Sequence, residues 1–168
     1  SREGFSTNQY HSVYAGEVSP GYFEAMGIRL MRGRTFDGRD TAATTRVAIV
    51  CEALARILWP GQDPIGQYVA RHNPRSTYAP TWLQVVGVVR EIETVQFEDR
   101  STPFIYTPLH QQSSAYATTL VVRAYGNPAQ LTKTITKAIG EADPSVEISR
   151  CLTMTDAIGE MLYPRRIA

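Results

Sequence analysis

Residues 82–90 read WLQVVGVVR, and this stretch decides the fold. Its four valines, Val85, Val86, Val88 and Val89, are β-branched residues, which favour an extended backbone. Because neighbouring residues in a strand point to opposite faces of a sheet, these valines place apolar side chains on both faces. The sequence therefore predicts a central strand over 82–90, with other parts of the chain covering each face.

The chain before this strand predicts two helices among several short strands. The strand-like segments are residues 11–18, 28–31, 47–50 and 68–70. Ser19 is typical of a helix N-cap and Pro20 of the first helical position, so a short helix is expected to follow and to end at Gly27. An apolar face at helical spacing predicts a second helix over 52–59. Residues 71–80 are expected to form a polar loop.

The chain after the central strand predicts further strands and its strongest helix. The strand-like segments are residues 104–106, 118–125 and 146–151. Asn127 is expected to cap a helix that Pro128 opens and Asp143 ends, with an apolar stripe along one side. Thr153 and Asp156 are expected to cap a last helix.

Several of these strands adjoin without a helix between them, and their spacing is irregular. This pattern favours an α+β fold, a mixed β-sheet packed with helices, over a doubly wound parallel sheet. At 168 residues, the chain has room for a single domain composed of two small subdomains, at about 1–100 and 101–168.

The charges of the chain nearly cancel. Seventeen Lys and Arg face sixteen Asp and Glu, so the formal net charge is +1 and no nucleic-acid partner is expected. The longest nearly apolar stretch, residues 82–89, is far shorter than the roughly 20 residues that cross a bilayer, and the chain as given is expected to be soluble.

One basic run holds four arginines: Arg29, Arg32, Arg34 and Arg39. Asp37 interrupts the run and Asp40 follows it, so a solvated surface that pairs with itself is expected there. A patch that faces a partner is the alternative.

The motifs of catalysis and of metal or cofactor binding are missing from the sequence. His11, His72 and His110 lie in separate segments, without a second ligand at metal-site spacing. The sequence contains no GxSxG or SxxK motif, and its glycines match neither GxGxxG nor GxxxxGK[ST] spacing. Acidic pairs such as Glu91 with Glu93 are expected to be solvated. The sequence therefore predicts a protein that is not an enzyme and holds no cofactor or metal.

The two cysteines, Cys51 and Cys151, leave two interpretations open. A disulfide between them would close a loop of about 100 residues and stabilise the fold in an oxidising compartment. Two buried free thiols are the expected alternative. Cys51 lies between a strand and the start of a helix, but no histidine is close to it in the sequence to activate the thiol.

An ordered series of motifs runs along the chain. It begins with VSPGYFEAMGI at 18–28 and RGRTF at 32–36. The later motifs are VAIV at 47–50, LWPG at 58–61, DPIG at 63–66, VVGV at 85–88, FIYTPL at 104–109, VVR at 121–123 with NP at 127–128, and YPRR at 163–166. Together they cover residues 18–166, and in this order they resemble the extracytoplasmic core domain of MacB/FtsX-type ABC transporter permeases.

The motif residues are all explicable as parts of the architecture, since their types preset turns, end helices or fill a core. They are Pro20, Tyr22, Phe23, Gly27, Gly33, Arg34, Phe36, Pro64, Gly66 and Gly87. Two features depart from the family. The family's domain usually has a further strand and helix ahead of residue 1, which this chain is expected to lack, and Cys51 stands where asparagine is more usual.

The resemblance implies a single extracytoplasmic domain over 1–168, held between the first and second membrane helices of a permease at the periplasmic face of the cytoplasmic membrane. It implies a cytoplasmic ATPase that drives the permease through these helices, a permease dimer, and a periplasmic adaptor or cargo as partner. The parent protein is then expected to carry an apolar stretch of about 20 residues on each side of this chain. The alternatives are a free-standing periplasmic or secreted binding module and an enzyme with unrecognised chemistry.

Overall fold

The computed structural model of the protein describes residues 13–71, 79–90, 103–111 and 119–157. The chain forms two compact units. The first, here called the sheet unit, consists of Ser1–Ile92 and Asp99–Thr119, and the second, the helix unit, of Glu93–Glu98 and Leu120–Ala168.

The described strands all lie in the sheet unit. In chain order its elements are β1 (Tyr14–Val18), α1 (Tyr22–Met26), β2 (Leu30–Gly33), β3 (Val47–Cys51), α2 (Glu52–Leu58), β4 (Tyr68–Arg71), β5 (Thr81–Val89) and β6 (Phe104–Pro108), followed by a 3-10 turn at Leu109–Gln111. The expected strand over 82–90 is β5. Because β6 pairs with β1 and β3, it belongs to this unit.

These six strands form one mixed sheet in the order β1-β6-β3-β5-β2, and β4 also pairs with β5. The pairs β1–β6 and β3–β5 are parallel, whereas β6–β3, β5–β2 and β5–β4 are antiparallel. β4 and β2 lie end to end along the same edge of β5. The expected α+β fold with a mixed sheet is therefore confirmed.

Apolar side chains cover both faces of the sheet, as the valine-rich central strand predicts. In β3, Ala48 and Val50 pack with Leu54 of α2 on one face. Val47 and Ile49 belong to the opposite face, where Phe23 of α1 packs. All six residues are buried, so each helix covers one side of the sheet.

A bulge in β5 shifts the alternation of its side chains between the two faces of the sheet. The register with β3 pairs Ala48 with Val85 but Ile49 with Gly87, so Val86 is the extra residue. Val88 therefore packs on the α2 face together with Val85, whereas Val86 packs on the α1 face.

The start of α1 differs from its expected start. Ser19 does not cap the helix and Pro20 is not its first residue, because the helix begins at Tyr22. The Tyr22 N–H donates to the Ser19 carbonyl at 3.2 Å, and Gly21 has φ 84° and ψ −9°. Pro at the second turn position and a left-handed Gly at the third match a type II turn, which delays the helix.

The helix unit contains a 3-10 turn (Pro128–Leu131) followed by α3 (Thr132–Ala142). The Asn127 side chain accepts the Ala129 N–H at 3.0 Å, and Asp143 ends the helix, as expected. Thr153 caps a short helical turn, but the remainder of the expected last helix lies outside the described residues.

The strands expected over 118–125 and 146–151 do not form within the part of the chain that the structure describes. Leu120 is 65% exposed, and Val122 and Val146 are each 49% exposed. Strand propensity mainly reflects the packing of side chains against neighbouring strands. These exposed side chains lack that packing, so their β-branched composition alone does not form a strand.

Candidate functional site

The aromatic residues of the 18–36 stretch meet in one cluster on the α1 face of the sheet. The ring centroids of Phe23 and Tyr106 are 5.0 Å apart in an edge-to-face arrangement, and Phe36 lies 6.1 Å from Phe23. Tyr22 contacts both Phe23 and Tyr106. Burial raises the pKa of both tyrosines above the ordinary value, so their phenols stay neutral. The cluster stabilises α1 against the sheet.

Two glycines of the motif series allow β2 to approach β5 closely. Gly33 and Gly87 are register partners. A Cβ on Gly33 would lie 2.2 Å from the Val86 carbonyl oxygen, and one on Gly87 would lie 2.3 Å from the Arg34 carbonyl oxygen. Gly33 also has φ 74°, so a side chain is excluded there for two reasons.

The turn before β4 is built by Pro64 and Gly66. Pro64 is buried, and the Ile65 N–H donates to the Asp63 carboxylate at 3.0 Å. Gly66 has φ 84° and donates its N–H to the Val85 carbonyl at 2.8 Å. Arg32 of β2 donates to Asp63 at 2.9 Å, so an ion pair joins β2 to this turn.

Gly27 ends α1 in the left-handed conformation, as predicted, with φ 70°. Its N–H donates to the Glu24 carbonyl at 3.1 Å, and the Ile28 N–H donates to the Phe23 carbonyl at 2.7 Å. These two bonds form a Schellman motif. The role of Gly27 in this structure is therefore architectural.

The basic run pairs with neighbouring aspartates. Arg34 donates two hydrogen bonds of 2.8 Å to the carboxylate of Asp40, which is buried. Arg39 pairs with Asp37 at 2.7 Å. The Arg34 guanidinium holds the pKa of the Asp40 carboxyl below its ordinary value, and the bonds from Arg39 do the same for Asp37. Together with the Arg32–Asp63 pair, these contacts confirm a self-paired surface at three of the four arginines.

Gln111 is a buried polar residue that the sequence reasoning missed. Its amide nitrogen donates to the carbonyls of Thr41 and Thr45 at 3.1 and 3.0 Å, and its amide oxygen accepts the Val47 N–H at 3.0 Å. The nearest of these partners along the chain is 64 residues away. No local pattern in the sequence could have indicated such a contact.

No disulfide joins the two cysteines in the structure; Cys51 is buried and Cys151 is exposed. The expectation that both thiols are buried is therefore wrong for Cys151. The Cys51 sulfur accepts the Leu54 N–H at 3.5 Å and the Phe104 N–H at 3.2 Å. Its thiol thus caps α2 and joins β3 to β6, which is a structural arrangement.

The other candidate groups remain apart or lie outside the described residues. His110 is exposed, while His11, His72, Glu91 and Glu93 fall outside. Within 13–71, 79–90, 103–111 and 119–157, no three His, Cys, Asp or Glu side chains are grouped so that they could hold a metal ion. Among the same residues, no helix has the length and apolar character of a membrane span.

The sequence resemblance is confirmed by comparison with protein families. Residues 2–142 match the family described as MacB-like periplasmic core domain. The chain is also 24% identical over 101 residues to an uncharacterised ABC transporter permease, YknZ, of Bacillus subtilis (strain 168). That match covers 60% of this chain and 23% of the permease, so this chain corresponds to less than a quarter of its relative.

Two solved structures share the fold. The periplasmic region of MacB from Actinobacillus actinomycetemcomitans matches with a TM-score of 0.55 and 17% identity over 79% of this chain and 58% of that one. The extracellular domain of the noncanonic ABC-type transporter YknZ from Gram-positive bacteria matches with a TM-score of 0.51 and 17% identity, over 83% and 71% of the two chains. This chain therefore belongs to the family of MacB-like periplasmic core domains, the extracytoplasmic domains of ABC transporter permeases.

Proposed function

We propose that this domain couples the ATP-driven motion of membrane helices in its parent permease to an extracytoplasmic cargo or partner. Membership of the MacB-like periplasmic core domain family, matched over residues 2–142, is the observation that carries the proposal. The chemistry of ATP hydrolysis belongs in a separate cytoplasmic ATPase subunit or domain. The domain itself is not catalytic.

The packing of the sheet unit supports a mechanical role. A body that transmits motion has to resist deformation, and densely packed cores do so because they are only slightly compressible. Here apolar residues bury both faces of one sheet, and an aromatic cluster fixes α1 against it. Most of the described motif residues fill the core or shape turns, so the outer surface remains free to contact a partner.

The partners that we propose are a cytoplasmic ATPase, reached through the membrane helices, a second copy of the permease, and a periplasmic adaptor or cargo. The sequence of the parent protein tests the first part directly. Apolar segments of about 20 residues on both sides of this chain are expected. A parent protein without them would contradict the permease and support a free-standing periplasmic or secreted binding module instead.

The exposed thiol of Cys151 offers a direct test of coupled motion. The parent permease and its ATPase would be placed in lipid vesicles, with other accessible cysteines replaced and Cys151 spin-labelled. Dipolar spectroscopy then measures the distance between the two labels of a dimer. We expect the distance distribution to change between the ATP-bound and nucleotide-free states.

An ATPase variant that cannot bind ATP is the control and should show no change. An identical distribution in every nucleotide state of a permease that still transports would refute the coupling. The absence of any dipolar signal would refute the dimer.

A further inference from the structure

Residues 37–45, here called the strap, cross the surface of the sheet unit between the core residues Phe36 and Val47. Both of these flanking side chains are buried. In the strap itself only Asp40 is buried, and residues 41–45, TAATT, are all exposed. The strap therefore contains no large apolar side chain, and apolar burial cannot account for its ordered conformation.

The first contact that holds the strap is the pair of Arg34 and Asp40. The Asp40 carboxylate accepts two bonds of 2.8 Å from the Arg34 guanidinium and one of 3.0 Å from the Asp37 N–H. Two parallel bonds between a guanidinium and a carboxylate define both distance and orientation. This pair holds the first half of the strap.

The second contact is made by Gln111, which follows β6 and comes from a distant part of the chain. Its amide nitrogen donates to the Thr41 and Thr45 carbonyls, and its amide oxygen accepts the Val47 N–H. The Thr44 hydroxyl lies 3.3 Å from the same nitrogen. Gln111 thus holds the second half of the strap at the beginning of β3.

Burial of a polar side chain costs free energy unless it is fully hydrogen-bonded. A buried polar side chain therefore marks a place where specific hydrogen bonds hold the fold. Among the described residues, the buried polar or charged side chains are Asp40, Thr107 and Gln111. Two of these three, Asp40 and Gln111, make the contacts that hold the strap. We propose that the strap is a conformational device. It opens and closes as one unit, by breaking and re-forming these two polar contacts, while the sheet remains folded.

Native-state hydrogen exchange of the full 168-residue chain tests the proposal without any substitution. The amides to follow in the strap are those of Asp37, Asp40 and Thr44, compared with the amides of β5. Exchange of the strap amides should be faster than exchange of the β5 amides. It should also be nearly independent of low urea concentrations, because local opening exposes little surface. Strap amides that exchange with the rate and urea dependence of β5 would overturn the proposal.

Two variants then separate the contacts. In Gln111→Met and in Asp40→Asn, the exchange of the strap amides should rise about ten-fold or more, because several hydrogen bonds of the closed form are lost. The β5 amides should change by less than about two-fold. Matched controls are Gln130→Met, at an exposed glutamine, and Asp63→Asn, which removes an exposed pair with Arg32. Neither control should change exchange in the strap.

A Gln111→Met chain that fails to fold would overturn the proposal, since the sheet would then depend on the strap. Equal loss of protection in the strap and in β5 would overturn it in the same way.

Discussion

Gly87 marks a point where the sheet leaves no room for a side chain. A Cβ there would lie 2.3 Å from the carbonyl oxygen of Arg34, the residue that follows β2, and the adjacent bulge returns Val88 to the face on which Val85 packs. The φ of Gly87 is not positive, so any cost of substitution arises from contact and not from backbone conformation.

We expect Gly87→Ala to destabilise the sheet unit by about 1–3 kcal/mol, because the added methyl group overpacks against backbone that cannot move aside. Both tryptophans, Trp59 and Trp82, lie in this unit, so the measurement is urea unfolding followed by tryptophan fluorescence. Gly38→Ala is the matched control, since nothing lies within 4 Å of a Cβ there. Equal midpoints for the two variants would contradict the close approach.

The two cysteines should differ in reactivity. We expect Cys151 to react with a thiol reagent in the native protein, because it is exposed, and Cys51 to react only after unfolding, because it is buried. Mass spectrometry of the labelled peptides measures this. Two free thiols in denatured, unreduced protein are also expected, and a count of none would establish the disulfide that the sequence left open.

The Asp40 contact should depend on pH. Its pKa is lowered first by the bonds from Arg34, while burial and the nearby charge of Asp37 oppose the shift. A carboxyl with a lowered pKa stabilises the closed form above its unfolded pKa near 3.8, and this contribution is lost as the pH falls through its folded value. An NMR titration of the Asp37 amide should therefore show the open form becoming the major population only in acid. An open form that predominates near neutral pH would contradict this assignment.

At the scale of elements, the strands that the sequence predicted correctly are those whose side chains pack in the sheet unit. β3, β5 and β6 formed where apolar, β-branched runs occur, and α3 formed between its expected cap and end. The segments 119–125 and 146–151 carry similar runs but formed no strand in the described residues. The strap shows the converse, since a segment with no periodicity is ordered by contacts from elsewhere in the chain.

Helix α1 is too short to be stable alone and depends on one side chain. Phe23 is its buried residue, and it contacts Phe36 and Tyr106. Phe23→Ala should cost about 3–5 kcal/mol of the sheet unit's free energy of unfolding, since it removes a buried ring and leaves a cavity. Urea unfolding followed by tryptophan fluorescence measures the loss.

Phe23→Leu should recover much of this stability, because it retains apolar volume. Tyr125→Ala, at a fully exposed ring, should change stability by less than about 0.5 kcal/mol. A Phe23→Ala chain as stable as the Tyr125→Ala chain would show that the cluster does not stabilise the fold.

At the scale of the whole molecule, we expect the 168-residue chain to bind no metal ion tightly. Within the described parts of the chain no group of ligands is assembled. Calorimetric titration with zinc and with calcium should give no stoichiometric site. A tight site at one ion per chain would contradict this expectation and place ligands among the remaining residues.

The sequence by itself determined the mixed sheet, its valine-rich central strand and the family, because these depend on side-chain types in a fixed order along the chain. Tertiary structure alone decided the bulge at Gly87, the contacts of Gln111 and the burial of Asp40. It also decided that β4 and β2 share one edge of β5. The physical reason is that each of these features depends on atoms that are distant in the sequence. Only the surrounding residues decide whether a polar side chain is buried or whether a glycine is needed for close packing.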